Sequence, residues 1–515
     1  MAGIFSRGHK PSTSTNSNGN GPHRTSSRRQ SESQRSAPWD YPTVSNTTSG
    51  SREKPHDILP THTNNLNRST SNPNGGKKSK VFNGIQPEGE SGRKGFHPFK
   101  FLKICWKSAS YASKLVNLLW PVVPAAIALR YAKPDLHLEI FILNYIAMVP
   151  CANLVGFAGQ ELARKLPKVF GVLLETTLGS VVEIVLFMVL LNKNQFQVIR
   201  AAILGSILAT LLLCLGMCFF IGGMKREEQK FHEAVSEVGS GLLLTAGLGL
   251  SVPVVFATAL SNHELVNKED LDHKVVMISR IASIILMVAF AIYVWFQMHT
   301  HHGLYDDLFE NEEMMDEDRH KDLRKAKLTF TECIFALTIS IALVTIIAIG
   351  LVEQIHHIVE EYGVSDAFMG LILVPIVEKA AEHLTAMDEA WDNQMNFALS
   401  HVLGATIQTA LFNAPLVIIV AWGLHKPMDL NFELFDMVML ILAILVVGNF
   451  LRDGKSNYLE GALCVLVYAV IAVAAWFYPN PLEGQHGTAE GATEAVAEGA
   501  AEVVHRAIVA GLGMS

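Results

Sequence analysis

Charge is scarce in this chain. Asp, Glu, Lys and Arg make up 17% of its 515 residues, against about 25% in an ordinary soluble domain. Charge is also unevenly distributed, and the first hundred residues are very polar, so the rest is more apolar than the 50% average suggests. Clustered cysteine is missing too. The six cysteines (Cys105, Cys151, Cys214, Cys218, Cys333 and Cys464) are scattered, and no two have zinc or redox-motif spacing, so packing is their expected role. Up to about Lys94 no apolar core of signal-peptide length occurs, and no secretory signal is expected. His383 beside Glu382 is the one candidate for enzyme chemistry, and no HExxH, GxSxG or paired-Asp pattern surrounds it. An enzyme is therefore not expected, and neither is a resident cofactor or a nucleic-acid partner.

Long apolar runs are abundant. A spanning helix needs about 20 apolar residues, and eleven stretches qualify: about 109–131, 138–158, 170–191, 198–223, 233–260, 274–298, 328–353, 366–388, 395–424, 432–452 and 456–478. The expected fold is an all-α polytopic membrane protein, one span plus two sets of five with inverted repeats. The boundaries expected are a disordered basic cytosolic tail over 1–95, a first transmembrane half over 96–303 and an acidic linker helix over 304–327. A second half over 328–478 and a flexible tail over 479–515 follow, the tail with a weak helix near 490–510. The first tail is rich in Ser, Asn, Arg, Gly and Pro and cannot bury enough apolar surface to order. Its Arg28–Ser31 run suggests phosphorylation. The linker, DDLFENEEMMDEDRHKDLRKAK at 306–327, offers Leu308, Met315 and Leu323 as contacts. His299, His301 and His302 just before it lack the supporting spacing of a zinc site.

Short-loop Lys and Arg set orientation. Arg164, Lys165, Lys168, Lys225, Arg226, Lys230, Arg452 and Lys455 fall on one side with the basic tail. The segment 353–366, read as a loop, carries none, and 425–431 carries one. Lys268 and Lys274 fit least well. The N-terminus is expected in the cytosol.

Two spans carry ionisable groups at bilayer depth, where each costs roughly 2.5–3.5 kcal/mol and marks function. Residues 176–191 read TTLGSVVEIVLFMVLL around Glu183. Residues 371–387 read LILVPIVEKAAEHLTAM, with Glu378, Lys379, Glu382 and His383. Aligning Glu183 on Glu382 sets Gly-Ser-x-x-Glu against Glu-Lys-x-x-Glu. One carboxylate per repeat with a midplane site between them is how ion-coupled transporters are built. Hard cations want carboxylate, carbonyl and hydroxyl oxygens. Two glutamates neutralise one Ca²⁺, and when desolvated without it they hold protons. Such a site exchanges cation for H⁺. Gly179, Ser180, Ser206, His383, Thr406 and Gln408 are further candidate cation- or proton-binding residues, with Gly205 and Thr210 nearby. On a continuous helix Glu378 and Lys379 share a face with Glu382. Glu378, Lys379 and Glu175 are therefore selectivity candidates, with Glu378 placed to neutralise Lys379. A channel or a transport-inactive scaffold is the alternative of another class. The expected partners are the membrane and the transported cations and protons, with a homo-oligomer left open.

Gly179–Glu183, GSIL at 205–208, LGMCFFIGG at 215–223, ISR at 278–280 and FQMHTHHGLY at 296–305 resemble the cation/proton exchanger (CAX) family of the cation/Ca²⁺ exchanger superfamily. So do GLILVPIV at 370–377, AAEH at 380–383, GATIQTALFNAP at 404–415 and DGKSNYLEGAL at 453–463. The likeness runs from about Leu118 to Pro479 and is closest to divergent fungal-type vacuolar members. It implies exchange of cytosolic Ca²⁺ for protons across an acidic organelle membrane such as the vacuole. The chain departs from the family's Gly-Asn-x-x-Glu motif at Ser180 and at Glu378–Lys379, and has Ala209–Thr210 where the family has Ser-Asn. Three amide ligands are thereby replaced and a cation is added, which brings a Na⁺ or K⁺/H⁺ exchanger into view as the alternative.

Overall fold

The computed structural model describes residues 91–93, 95–108, 110–261, 268–315 and 325–479. The Arg28–Ser31 run, most of the N-terminal tail, the C-terminal tail with its expected helix at 490–510, and Leu323 lie outside the described residues. So does the side chain of Met315.

Helix α1 is Pro98–Lys107, followed by α2 (Ala112–Ala132), α3 (His137–Ala163), α4 (Val169–Asn192), α5 (Phe196–Lys225), α6 (Glu233–Ser261) and α7 (Lys268–Thr300). The connecting helix α8 is His302–Met315. Then come α9 (Phe330–Tyr362), α10 over 366–391, α11 (Met395–Gly423), α12 (Leu434–Phe450) and α13 (Tyr458–Trp476). Ten helices among the described residues are long and apolar enough to cross a membrane. The remaining expected span, α10, is interrupted by its own charged residues. Most observed helices start and stop close to their expected apolar runs, although α3 ends later and α7 starts earlier than expected. The largest difference is α9, which continues through most of the segment read as a loop at 353–366. That stretch contains no helix breaker before Gly363, whose left-handed φ of 67° ends the helix. A capping box of Thr329 and Glu332 starts it. Of the linker helix expected over 304–327, the described residues are helical through Met315 and not helical at 325–327, and 316–324 lie outside the described residues.

α5 and α11 form the centre, with 83% and 78% of their apolar windows buried, against 22% for α2 and α7. The outer helices turn Val252, Val255, Ile281, Ile285, Val288, Leu466 and Val470 outward, as lipid-facing surfaces do. All five spans of the first half have counterparts in the second, and the register holds in detail between α4–α5 and α10–α11. α4 breaks at Ser180, between helical pieces ending at Gly179 and starting at Val181. α10 breaks at Lys379, between Glu378 and Ala380. Asn194 and Asn393 follow the two helices in left-handed conformation, with φ of 59° and 69°. A π-helical segment interrupts α5 at Ala209–Cys214 and α11 at Thr409–Asn413. One constant offset in numbering relates all these pairs to within a residue.

The repeats also close each other's helix ends. Lys426, after α11, donates to Leu191 O (2.7 Å) and to Asn194 Oδ1 (2.6 Å) at the end of α4. Gln229, after α5, donates to Ala390 O (2.9 Å) at the end of α10. Its strand β1 (Gln229–Lys230) pairs antiparallel with β2 (Lys455–Ser456). Where α5 crosses α10, a Cβ on Gly205 would collide with the backbone of Leu371, and one on Gly370 would meet Ala201 Cβ at 2.5 Å. Glycine at both positions lets the broken helix lie directly on the central one.

Candidate functional site

Glu183 and Glu382 occupy the same place in their helices. Each is the third residue of the half-helix that restarts after the break. The partial positive charge of that helix end favours a carboxylate. The Lys379 ammonium lies 2.7 Å from Glu183 Oε2 and 3.2 Å from Glu382 Oε2. The two carboxylates are thus no further apart than the sum of those distances. The ammonium sits at ion-pair distance from both, without being aimed along a hydrogen-bond direction to either. The helix break positions it: Lys379 is the junction residue, and its side chain is 1% exposed.

Lys379 and Glu382, three residues apart, meet on one face across the junction at Lys379, and Glu378 lines the same cavity as Glu382. The structure corrects one expectation about this segment: Glu378 is not the group paired with Lys379, which turns to Glu183 and Glu382 instead. Glu378 is 2% exposed, its two oxygens have no hydrogen-bond partner, and Ser206 faces it.

Glu183 is 1% exposed and firmly held. Thr409 Oγ1 donates to its two oxygens at 3.1 and 3.0 Å, and Asn413 Nδ2 donates at 2.9 Å. Glu382 has no hydrogen bond, and its side chain is 17% exposed. It packs against Gly179, where a Cβ would lie 2.5 Å from Oε1. Glu382, Gly179, Glu378, His383 and Glu175 line one open cavity of about 580 Å³. Ser180 and Ser206 are buried with unpartnered hydroxyls, and the His383 Nε2 and Gln408 Nε2 atoms are also buried without partners. Such groups in an apolar bundle demand a polar occupant. Thr406 does not reach the glutamates; it donates to Val402 O on its own helix at 2.6 Å. Thr210 likewise donates to Ser206 O at 2.8 Å.

Thr409, Asn413, His401 and Glu389 were not singled out from the sequence. Thr409 and Asn413 lie in the GATIQTALFNAP run, but the π segment there rotates the helix face by one residue. His401 Nδ1 meets Glu389 Oε2 at 2.8 Å, and His401 Nε2 lies 3.7 Å from Glu175 Oε2. At the α8 end, Glu312 Oε1 accepts from Asn396 Nδ2 at 2.8 Å and Oε2 from Asn396 N at 3.1 Å. Asp306 Oδ1 accepts from Val169 N at 3.4 Å. Leu308 packs against the core. His299 stacks on Trp295 and His301 on Phe296, while His302 pairs with Asp306 at 2.9 Å.

The sodium/calcium exchanger protein family model matches residues 136–299 and 333–477. Those are the two sets of five spans, without α2 and α8. Vacuolar cation/proton exchanger 5 of Arabidopsis thaliana is 34% identical over 375 residues, 72% of this chain and 82% of that protein. The vacuolar calcium ion transporter of Schizosaccharomyces pombe is 31% identical over 368 residues, 72% and 86% of the two chains. Among solved structures, the selenium-substituted Ca²⁺/H⁺ antiporter protein YfkE matches with a TM-score of 0.55 at 27% identity, covering 70% of this chain and 99% of that one. Two family-matched halves, each with its broken helix and its glutamate, leave one assignment: this chain belongs to the sodium/calcium exchanger protein family and, within it, to the cation/proton exchangers.

Proposed function

We propose that the protein is a secondary cation/proton antiporter that moves cytosolic Ca²⁺ or a related cation into an acidic organelle, the vacuole, in exchange for H⁺. One observation carries this reading: two glutamates from corresponding half-helices meet at a single ammonium beside a cavity lined by Glu175, Glu378 and Glu382. A carboxylate pair with one positive partner between it holds a cation or protons, but not both at once. In this reading the lysine-bound arrangement is the ion-free one. An arriving cation replaces the Lys379 ammonium between Glu183 and Glu382, and the neighbouring Ser180, Ser206, Gln408 and His383 supply further polar contacts. The α8 end, where Arg164, Lys165, Lys225, Arg226, Arg452 and Lys455 gather, faces the cytosol by the bias of short-loop cations. The names of the relatives support the vacuole as the membrane.

Lys379 favours a second reading, exchange of Na⁺ or K⁺. Its fixed positive charge between the two carboxylates opposes a dication more than a monovalent ion. Proton-gradient-driven uptake by vesicles holding the purified chain separates the two. Ca²⁺ uptake that collapses with the pH gradient is expected. Uptake of Na⁺ or K⁺ alone would favour the second reading, and no uptake of any of them would refute both.

A further inference from the structure

Helix α1 carries three stripes. Phe101, Ile104 and Cys105 pack into the core of the bundle. Phe99, Leu102 and Trp106 recur at helical spacing on another face and are 89%, 64% and 48% exposed. Lys100, Lys103 and Lys107 form the third stripe, also exposed, and none of them is paired with a carboxylate among the described residues.

The helix is fixed at both ends. Ahead of its first turn, His97 N donates to Glu332 Oε1 at 3.1 Å, and Arg93 pairs with the same carboxylate at 3.3 Å. Phe96 and Phe101 meet Phe335 of α9 edge-on, with ring centres 4.8 and 5.6 Å away. At its other end, Asn117 Nδ2 of α2 donates to Cys105 O and Trp106 O, both at 3.1 Å. Ser108, with φ of 51°, turns the chain out of α1. Both anchors are helix starts, of α9 and of α2. The start of α9 in turn sits on the end of α3, where Leu328 N donates to Glu161 Oε2 at 2.7 Å. α1, about 15 Å long, therefore bridges two spans at the α8 end of the bundle and does not itself cross. That is the level at which hydrocarbon gives way to headgroups.

We propose that α1 is an interfacial anchor that binds anionic lipid headgroups. Phe99, Leu102 and Trp106 enter the acyl boundary, as the apolar face of a surface helix does. Lys100, Lys103 and Lys107 lay their apolar stems along that boundary and carry their ammonium groups up to the lipid phosphates. Charge decides the class of lipid. A zwitterionic headgroup has no net charge to offer three unpaired cations, whereas an anionic surface adds about fivefold in binding for each lysine beside it. The antiport reading does not enter; the orientation proposed with it sets only which leaflet supplies the lipid.

The test is amide hydrogen exchange over 98–107 in the purified full-length chain, held in nanodiscs of phosphatidylcholine alone or of phosphatidylcholine with phosphatidylserine. Phosphatidylserine should slow exchange there by about tenfold or more, and high salt should remove the difference by screening. Lys100→Gln combined with Lys103→Gln and Lys107→Gln should abolish the phosphatidylserine effect, with thermal unfolding unchanged because all three side chains are exposed. Leu102→Ser with Trp106→Ser should speed exchange in both nanodiscs. Equal exchange of the wild type in the two nanodiscs, or a phosphatidylserine effect that survives the triple variant, would overturn the proposal. So would equal protection in neutral detergent without lipid, which would assign the outward stripe to the rest of the chain or to a second copy. Exchange is read without transport, so a chain that transports nothing but keeps the lysine-dependent effect would refute the antiport and leave the anchor standing.

Discussion

Glu183 and Glu382 share a helix register but not an environment. Glu183 is buried and held by Thr409 and Asn413 of the opposite repeat. The equivalent helix facing Glu382 offers Thr210, whose hydroxyl is spent on its own backbone, and Cys214 in the place of the amide. Glu382 is therefore left on the cavity wall with Lys379 as its partner. Duplication supplied two similar carboxylates; divergence made one a fixed anchor and the other an arm held by no hydrogen bond. In the proposed exchange, Glu382 meets the incoming cation first and Glu183 defines where it stops.

Neutralising each glutamate in turn is the strongest way to break that contrast. Glu183→Gln and Glu382→Gln should both abolish gradient-driven uptake in vesicles. They should differ in stability. Glu183→Gln removes the closer partner of a fully buried ammonium, and breaking a buried pair costs about 3–5 kcal/mol. Glu382→Gln affects a group on the cavity and should cost much less. Equal thermal unfolding shifts would show that the anchor and the arm are not distinct.

The next test alters the cation between them. Lys379→Asn combined with Glu378→Gly removes one charge of each sign. It should raise the ratio of Ca²⁺ to K⁺ exchange by about tenfold, or about 1.4 kcal/mol of selectivity. An unchanged ratio would clear Lys379 of any filtering role.

Most of the fold and the central pair were legible in the sequence, because apolar length and a carboxylate at bilayer depth are strong local signals. The α4 and α10 breaks were less so. A Gly-Ser pair and a Glu-Lys pair do not announce that the helix stops between them, and it was the tertiary pull of Glu183 on Lys379 that settled the side-chain direction. Thr409 and Asn413 stayed hidden for a different reason. Counting at 3.6 residues per turn points Thr406 and Gln408 at the site, and the π segment of α11 shifts the face. Glu175, Glu389 and His401 sit on three different helices and meet only through the packing of those helices.

Exchanging the ligands of the two repeats sharpens the comparison further. Asn413→Cys should remove one hydrogen bond to a charged group, worth about 1.5–3 kcal/mol, and weaken cation affinity accordingly. Cys214→Asn should offer Glu382 the amide it lacks and have the smaller effect, in the opposite direction. Equal losses from both would mean that the two helices are not interchangeable frames around one site.

The smallest effects are expected at α8, which touches one helix of each repeat with unequal grip. Glu312 holds Asn396 at the start of α11 through two contacts, and Asp306 holds Val169 at the start of α4 through one long contact. Glu312→Gln should cost about 1 kcal/mol, and Asp306→Asn no more than about 0.5 kcal/mol. Burial pushes the Glu312 carboxyl above its ordinary value, with the Asn396 contacts opposing the shift. The folded chain then binds this proton more tightly than the unfolded one. Its contribution to stability is complete below the ordinary carboxylate range and is lost as pH rises through the raised value. Glu312→Gln should flatten that slope in a thermal-unfolding series across mildly acidic pH, whereas Asp306→Asn should leave it intact. A slope that survives Glu312→Gln would assign the pH response to another group and remove the difference between the two contacts.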